Sequence, residues 1–268
     1  MNNSTRLLAA LTLASFPLHS ANASLKDHSA VRQPGEHASE RLLDLYFAIS
    51  DEHHEPDSTA AGQAVPFEQL NLAQVPILAS KPQIDALFRA ARDRRDWEWD
   101  DMRGFARRIS WLYPQDGCYL RSRLMTDLWS SNAGVLPAQA FVFGDMKVST
   151  PYGETIWWYH VAPVFSDGTQ VYVLDASMDP ERPMTLREWA GKTTSDRVKE
   201  ATFAICAAYA NWPESECSQT MPISGDGSES LPELTQEFLA NEWRHLTSIG
   251  KDPAKLLGDQ PPWNHSAQ

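Results

Sequence analysis

Cysteine is scarce in this sequence and its count is odd: 3 among 268 residues, at Cys118, Cys206 and Cys217. Basic residues are outnumbered, 23 Lys and Arg against 35 Asp and Glu, for a formal net charge of −12. An acidic chain without a Lys/Arg stripe is a poor partner for nucleic acid or anionic membranes. No apolar run reaches the roughly 20 residues a transmembrane helix needs. There is no phosphate-binding glycine loop, no dinucleotide fingerprint and no internal repeat, so nucleotide enzymes and solenoids have no support. Metal-ligand spacing is also lacking: the His-rich "DEHHEP" holds Glu52, His53, His54 and Glu55 side by side in a Pro-flanked, acidic segment, and adjacent residues rarely converge on one ion. No metal and no cofactor is expected.

What is present begins with a leader. In "MNNSTRLLAALTLASFPLHSANAS" a single positive charge at Arg6 precedes an apolar run, Leu7 to Leu18, and an A-x-A pattern ending at Ala23. This predicts a secretory signal peptide over residues 1–23, and hence an exported protein, secreted or periplasmic. Its removal leaves about 245 residues, enough for one sizeable core. Hydrophobic residues make up 42% and aromatics 10%, with 10 Trp, the composition of a globular chain with large packing surfaces.

Residues 24–75 read as a propeptide or N-terminal extension, with one amphipathic helix around Leu42, Leu43, Tyr46 and Phe47 and a linker-like stretch after it. A composition change near residue 72 marks the start of a catalytic unit over residues 76–268. Expected there are a helix from about Gln83, an Arg-rich helix near Met102–Arg108 and a helix from Cys118. A strand "AFVFGDMKV", a strand pair around Asp167–Gly168, helices near 185–191 and 197–210, and a last amphipathic helix stopping at Gly250 follow. Thr185 and Glu188 have capping-box spacing. The fold class is α+β, a small antiparallel sheet flanked by helices.

Exported thiols usually pair. Cys206 and Cys217 stand 11 residues apart across a Pro turn, so they are expected to form a disulfide, leaving Cys118 over. Asp116 and Gly117 are helix-start signals, and Leu120, Leu124 and Leu128 repeat behind them, so Cys118 belongs in a first helical turn, where unpaired N–H groups favour a thiolate. The alternative is a small buried hydrophobe.

A base for that thiol is suggested by "TIWWYHVAPVFSDGTQVYVLDAS". An Asp167–Gly168 turn centre would set Ser166 opposite Thr169 and His160 opposite Asp175, with Cβ atoms about 4.5–5.5 Å apart. Cys118, His160 and Asp175 would then complete the nucleophile, base and orienter of a thiol hydrolase. Trp157 and Trp158 point to opposite faces of their strand. Trp158 shares the face of His160 and is the expected lining of a substrate cleft, with core packing the alternative. Tyr119 and Asp116 flank the nucleophile as candidate substrate contacts, Asp116 also as a helix cap.

The blocks "YPQDGCYLRSRLM", "FVFGDMKVST" and "WWYHVAPVF" followed by "VLDASMDPERPMTLREW" resemble, in order and spacing over about residues 80–190, the secreted bacterial protein-glutaminases, or protein-glutamine deamidases. The resemblance implies a papain/transglutaminase-like core in which Cys118 is the nucleophile, His160 the base and Asp175 its orienter. It also implies proteins with exposed Gln as substrates and an inhibitory pro-segment over residues 24–75; separately, a monomer is expected and the chemistry requires no cofactor. Known members carry more cysteines, often Pro where Ala176 stands, and a longer connection between the His and Asp strands. A transglutaminase-like acyltransferase and a cysteine peptidase would use the same triad. A Trp-rich secreted binding module with Cys118 merely buried is the non-enzymatic alternative.

Overall fold

The computed structural model describes residues 31, 37, 56–94, 97–99, 102–194, 201–222 and 231–257. The expected signal peptide, the helix at Leu42–Phe47 and the residues 52–55 lie outside them. No described helix is long and apolar enough to cross a membrane.

Helix α1 (Lys81–Arg92) is followed by a small hairpin, β1 (Trp97–Trp99) and β2 (Met102–Arg107). The buried helix α2 (Cys118–Ala133) leads into the long pair β3 (Ala138–Thr150) and β4 (Gly153–Ser166). Then come β5 (Val171–Val173), β6 (Met184–Thr185), α3 (Leu186–Thr194), β7 (Thr202–Cys206), α4 (Leu231–Ser248) and α5 (Pro253–Leu257). The five-stranded sheet has the order β6-β5-β4-β3-β7, and its pairings are antiparallel. Helix α2 packs on β4 and α3 on β3. This is the expected α+β class.

Two expected helices are strands. Residues 102–107 pair with β1, and Gly104 at their centre disfavours a helix by about 1 kcal/mol relative to Ala. Residues 202–206, TFAIC, pair with β3 from Gln139↔Cys206 to Phe143↔Thr202. Their Thr, Phe and Ile suit a pleated surface, and β3 has an edge to cover. The capping box is real: Thr185 N–H donates to Glu188 Oε2 (2.7 Å) and Glu188 N–H to Thr185 Oγ1 (3.2 Å).

The segment read as a linker is docked from residue 58 onward. Its amides meet both margins of the sheet. Val65 and Phe203 exchange N–H···O bonds of 2.8 and 2.7 Å, Ser166 donates to Pro76 (2.9 Å), and Leu78 donates to Ser166 (2.8 Å). Ala60 and Thr59 are buried. A polar, Pro-containing composition conceals this because main-chain bonds, not side chains, do most of the docking.

Helix α2 is buried on nearly every side, so its apolar residues are not confined to one stripe. Its polar residues are satisfied inside: Ser122 Oγ donates to Gln139 Oε1 (2.9 Å), and Gln139 Nε2 donates to Thr126 Oγ1 (3.0 Å) and to the Ala208 carbonyl (2.8 Å). These bonds lock the helix onto β3 and so fix where its N-terminus lies.

Candidate active site

Cys118 is the first residue of α2 and the free cysteine among the described residues; Cys206 and Cys217 are joined as a disulfide. The helix starts through Gly117, whose φ of +80° is left-handed. A Cβ there would come within 3.0 Å of the Phe238 ring on α4, so both backbone and space demand glycine. Asp116 does not cap the helix: its Oδ1 accepts the N–H of Gly117, the N-cap residue, at 2.6 Å, and no side chain caps the first-turn amides.

The thiol lies against β4, hydrogen-bonded to the Val161 backbone and the Tyr159 side chain, the residues on either side of His160. Burial pushes it up to about 12; the positive charge of Arg121 and those two hydrogen bonds pull it down, while Asp116 adds to the rise. The helix start is therefore not enough to keep Cys118 ionised at rest, because 1% exposure removes the water that would solvate a thiolate.

His160 and Asp175 are paired, with Nε2 to Oδ2 at 2.7 Å and both side chains buried. The register differs from the expected one. Strand pairs run Ser166↔Val171, Phe165↔Tyr172 and Val164↔Val173, and Gly168–Thr169 is the turn centre. Asp167 is the reason: its Oδ1 accepts from Thr169 N (2.9 Å), Thr169 Oγ1 (2.7 Å) and Gln170 N (2.8 Å), which holds it as the residue before the turn. Gly168, with φ +90°, takes the first central position. Pairing ends at Leu174, whose N–H donates to Pro163 at 2.9 Å. Asp175 then leaves the strand in an Asx turn and turns back to the imidazole.

Four bonds converge on that carboxylate. Oδ1 accepts the Ser177 N–H (3.2 Å) and hydroxyl (2.6 Å); Oδ2 accepts His160 Nε2 and the Trp189 indole N–H (3.0 Å). Burial opposes its ionisation, but the charge and hydrogen bond of His160 and the Ser177 bond outweigh it and hold Asp175 far below the ordinary carboxylate range. Burial also lowers His160, against the upward pull of Asp175. The resting state is a carboxylate beside a neutral imidazole and a thiol.

The imidazole is clamped between rings: Trp157 stacks on it at 4.1 Å and 12°, Trp189 lies 5.7 Å away. Trp157 also donates its indole N–H to the Pro114 carbonyl at 3.0 Å, tying the ring stacked on His160 to the loop before Cys118. His160 Nδ1 is buried without a hydrogen-bond partner.

Trp158, expected beside the cleft, is buried against Tyr159 with ring centroids 4.6 Å apart. Trp157, not Trp158, is the ring on His160, and the β3–β4 register shifts between Phe143 and Met146, opposite Trp158. Tyr119 is buried too, stacked on Trp212 at 3.8 Å and edge-on to Phe238. Sequence reasoning passed over Ser177 and Trp189. The Asp175–Ser177 spacing is an Asx-turn signal; nothing local marks Trp189, which arrives from α3. Among the described residues no group of three His, Cys, Asp or Glu could hold a metal ion.

Residues 84–193 match a protein-family model described as glutaminase. No curated protein matches the chain. Among solved structures, a pro-protein-glutaminase is 21% identical over 62% of this chain and 59% of its own, with a TM-score of 0.47. Protein-glutaminase from Chryseobacterium proteolyticum is 21% identical over 60% of this chain and 88% of its own, at a TM-score of 0.44. A further protein-glutaminase crystal structure is 24% identical over 49% and 71%, at 0.38. The chain thus spans less than two thirds of the pro-protein-glutaminase it matches, 59% of that length.

Proposed function

From the glutaminase-family domain at residues 84–193, we propose that this chain is an exported thiol hydrolase that converts protein-bound glutamine to glutamate with release of ammonia. The observation that carries the chemistry is the division of labour on the imidazole. His160 Nε2 is engaged by Asp175, which leaves Nδ1 as the basic nitrogen, buried and unpartnered next to the strand residues that hold the Cys118 thiol.

In this reading His160 Nδ1 takes the Cys118 proton and the thiolate attacks the carboxamide carbon of the glutamine side chain. A C–S bond forms and the carbonyl pair moves to oxygen. The Cys118 backbone N–H, at a helix start without an intrahelical acceptor, is one donor to that oxyanion. The imidazolium returns its proton to the departing nitrogen, the C–N bond breaks and ammonia leaves a thioester. Water deprotonated by Nδ1 attacks the thioester, the C–S bond breaks, and glutamate and the thiol are regenerated. Asp175 stays ionised throughout and holds the ring and its tautomer.

The described form is latent in this reading. Cys118 and His160 are each only 1% exposed. Val31 forms an antiparallel bridge with Trp157, the ring stacked on His160, and His37 lies 3.7 Å from Asp145. Val31 of the 24–75 segment thus lies against the strand residue whose ring covers the base, which supports the segment's reading as an inhibitory pro-segment. The part to be removed ends before Pro56, because residues 58–78 are built into the sheet.

The test compares the full chain, a chain starting at Pro56 and its Cys118→Ala variant on a glutamine-rich protein. Ammonia with a +1 Da change at Gln, no cleavage, and no activity in the variant is the expected result. Lysine cross-links or shortened peptides would assign acyl transfer or peptidase activity instead. No Cys118-dependent change on a broad panel would sink the enzyme reading.

A further inference from the structure

The loop that delivers Cys118 is gathered by one side chain that the triad does not include. Arg121, one turn into α2, is buried, and its Nη1 donates to the carbonyls of Ser110 (3.3 Å), Tyr113 (3.1 Å) and Asp116 (2.8 Å). Residues 110–116 are therefore wrapped around a single guanidinium directly beneath the nucleophile. Its hydrogen bonds go to neutral carbonyl oxygens, and Nη2 is buried with no partner at all. The nearby buried acid, Glu242, is already bonded to Arg108 and to the Leu112 N–H. A buried cation not cancelled by a carboxylate of its own acts undiminished on its surroundings.

Those surroundings are the reacting groups. Arg121 faces Cys118, Tyr119 and Asp116 on its own helix and loop, His160 on β4, Asp175 beyond β5, Tyr113, and the Arg108–Glu242 pair. Tyr159 on β4 and Glu237 on α4 complete the ring of titratable neighbours around the thiol and Tyr119. The guanidinium biases Cys118, His160 and Asp175 alike toward their deprotonated forms, and for Cys118 it is the strongest influence opposing burial.

We propose that Arg121 is a positioning residue for the nucleophile: it clamps the 110–116 loop beneath the first turn of α2 and supplies the positive charge that stabilises the Cys118 thiolate once formed. The proposal rests on the thiol-hydrolase reading but is testable without a glutamine substrate. A helix-start dipole alone leaves the buried thiol protonated, and the guanidinium is the nearby full charge that lowers the cost of forming the thiolate.

The experiment measures alkylation of Cys118 by iodoacetamide in the full chain, its Arg121→Gln variant and its Arg121→Lys variant, at roughly pH 9, near the ordinary thiol value. Circular dichroism and thermal melting verify folding. A residue that merely packs would, when shortened, loosen the loop and expose the thiol, speeding alkylation. Loss of the charge does the opposite. The expected result is a rate lower by about tenfold for Arg121→Gln, the equivalent of one unit in the thiol pKa, with Arg121→Lys within about threefold of the parent. A folded Arg121→Gln variant that alkylates at the parental rate or faster overturns the proposal, as does an Arg121→Lys variant as slow as Arg121→Gln. If neither variant folds, Arg121 is a folding residue only and the proposal falls. A chain starting at Pro56 that alkylates at Cys118 yet releases no ammonia removes the deamidase reading and leaves this comparison intact.

Discussion

Asp175→Asn is the most informative single change, because the structure specifies what each atom of the new side chain would meet. The carboxylate uses all its acceptor capacity: two bonds from Ser177 on Oδ1, and one each from His160 Nε2 and the Trp189 indole on Oδ2. An amide has one oxygen. If that oxygen stays with Ser177, the NH2 group confronts the Trp189 N–H and can satisfy only a lone pair on His160 Nε2. The ring must then carry its proton on Nδ1, which removes the base. The alternative flip keeps His160 in place and sets NH2 against the Ser177 N–H, leaving buried donors unpaired at about 1–3 kcal/mol. The first arrangement strands the Trp189 N–H instead, and tautomer reversal of this kind is what the equivalent amide produces in other triads. We expect kcat for ammonia release to fall about a thousandfold or more, as tautomer reversal does in other triads, with a loss of stability of no more than about 3 kcal/mol. Ammonia release and thermal melting on the Pro56 start, beside Asp175→Ala, provide the assay. A folded Asp175→Asn enzyme keeping more than about a tenth of the parental kcat would refute the tautomer argument.

Other outcomes follow from the same geometry. His160 is lowered by burial, so its neutral form is favoured in the fold; stability is full above the unfolded value of about 6.5 and is lost as pH falls through the folded value, and His160→Gln should flatten the melting curve's pH dependence below pH 6.5. Glu242→Leu alone should destabilise by about 3–5 kcal/mol because it strands the buried Arg108, whereas Arg108→Met with Glu242→Leu should recover most of that in urea titrations. A chain starting at Pro56 should melt like the parent's folded unit. One starting at residue 79 loses the reciprocal Val65–Phe203 bonds and the Pro76 and Leu78 bonds, each worth about 1 kcal/mol, and should melt lower or fail to fold.

Much of this molecule was legible in one dimension because the signals concerned are local. Asp116–Gly117 before a leucine-repeating run marks a helix start, and the start lies at Cys118. Thr185 and Glu188 form their box whatever surrounds them. The odd thiol follows from counting, once Cys206 and Cys217 pair. Even the His160–Asp175 pair emerged from a hairpin signal whose register was wrong: the turn at Asp167 moved the register, and a second Asx turn, at Asp175 itself, folds that carboxylate back on the ring.

What the tertiary structure alone decided depends on groups far apart in sequence. The 202–206 segment became a strand because β3 offered it an edge, and 102–107 because β1 did. Trp157 rather than Trp158 stacks on His160, an outcome that counting alternate positions along one strand does not give. Trp189 reaches Asp175 from another helix. Above all, the electrostatic state of the site was beyond the sequence: a helix N-terminus favours a thiolate, but burial of Cys118 outweighs it, because desolvation is set by everything packed around a charge and not by its neighbours along the chain.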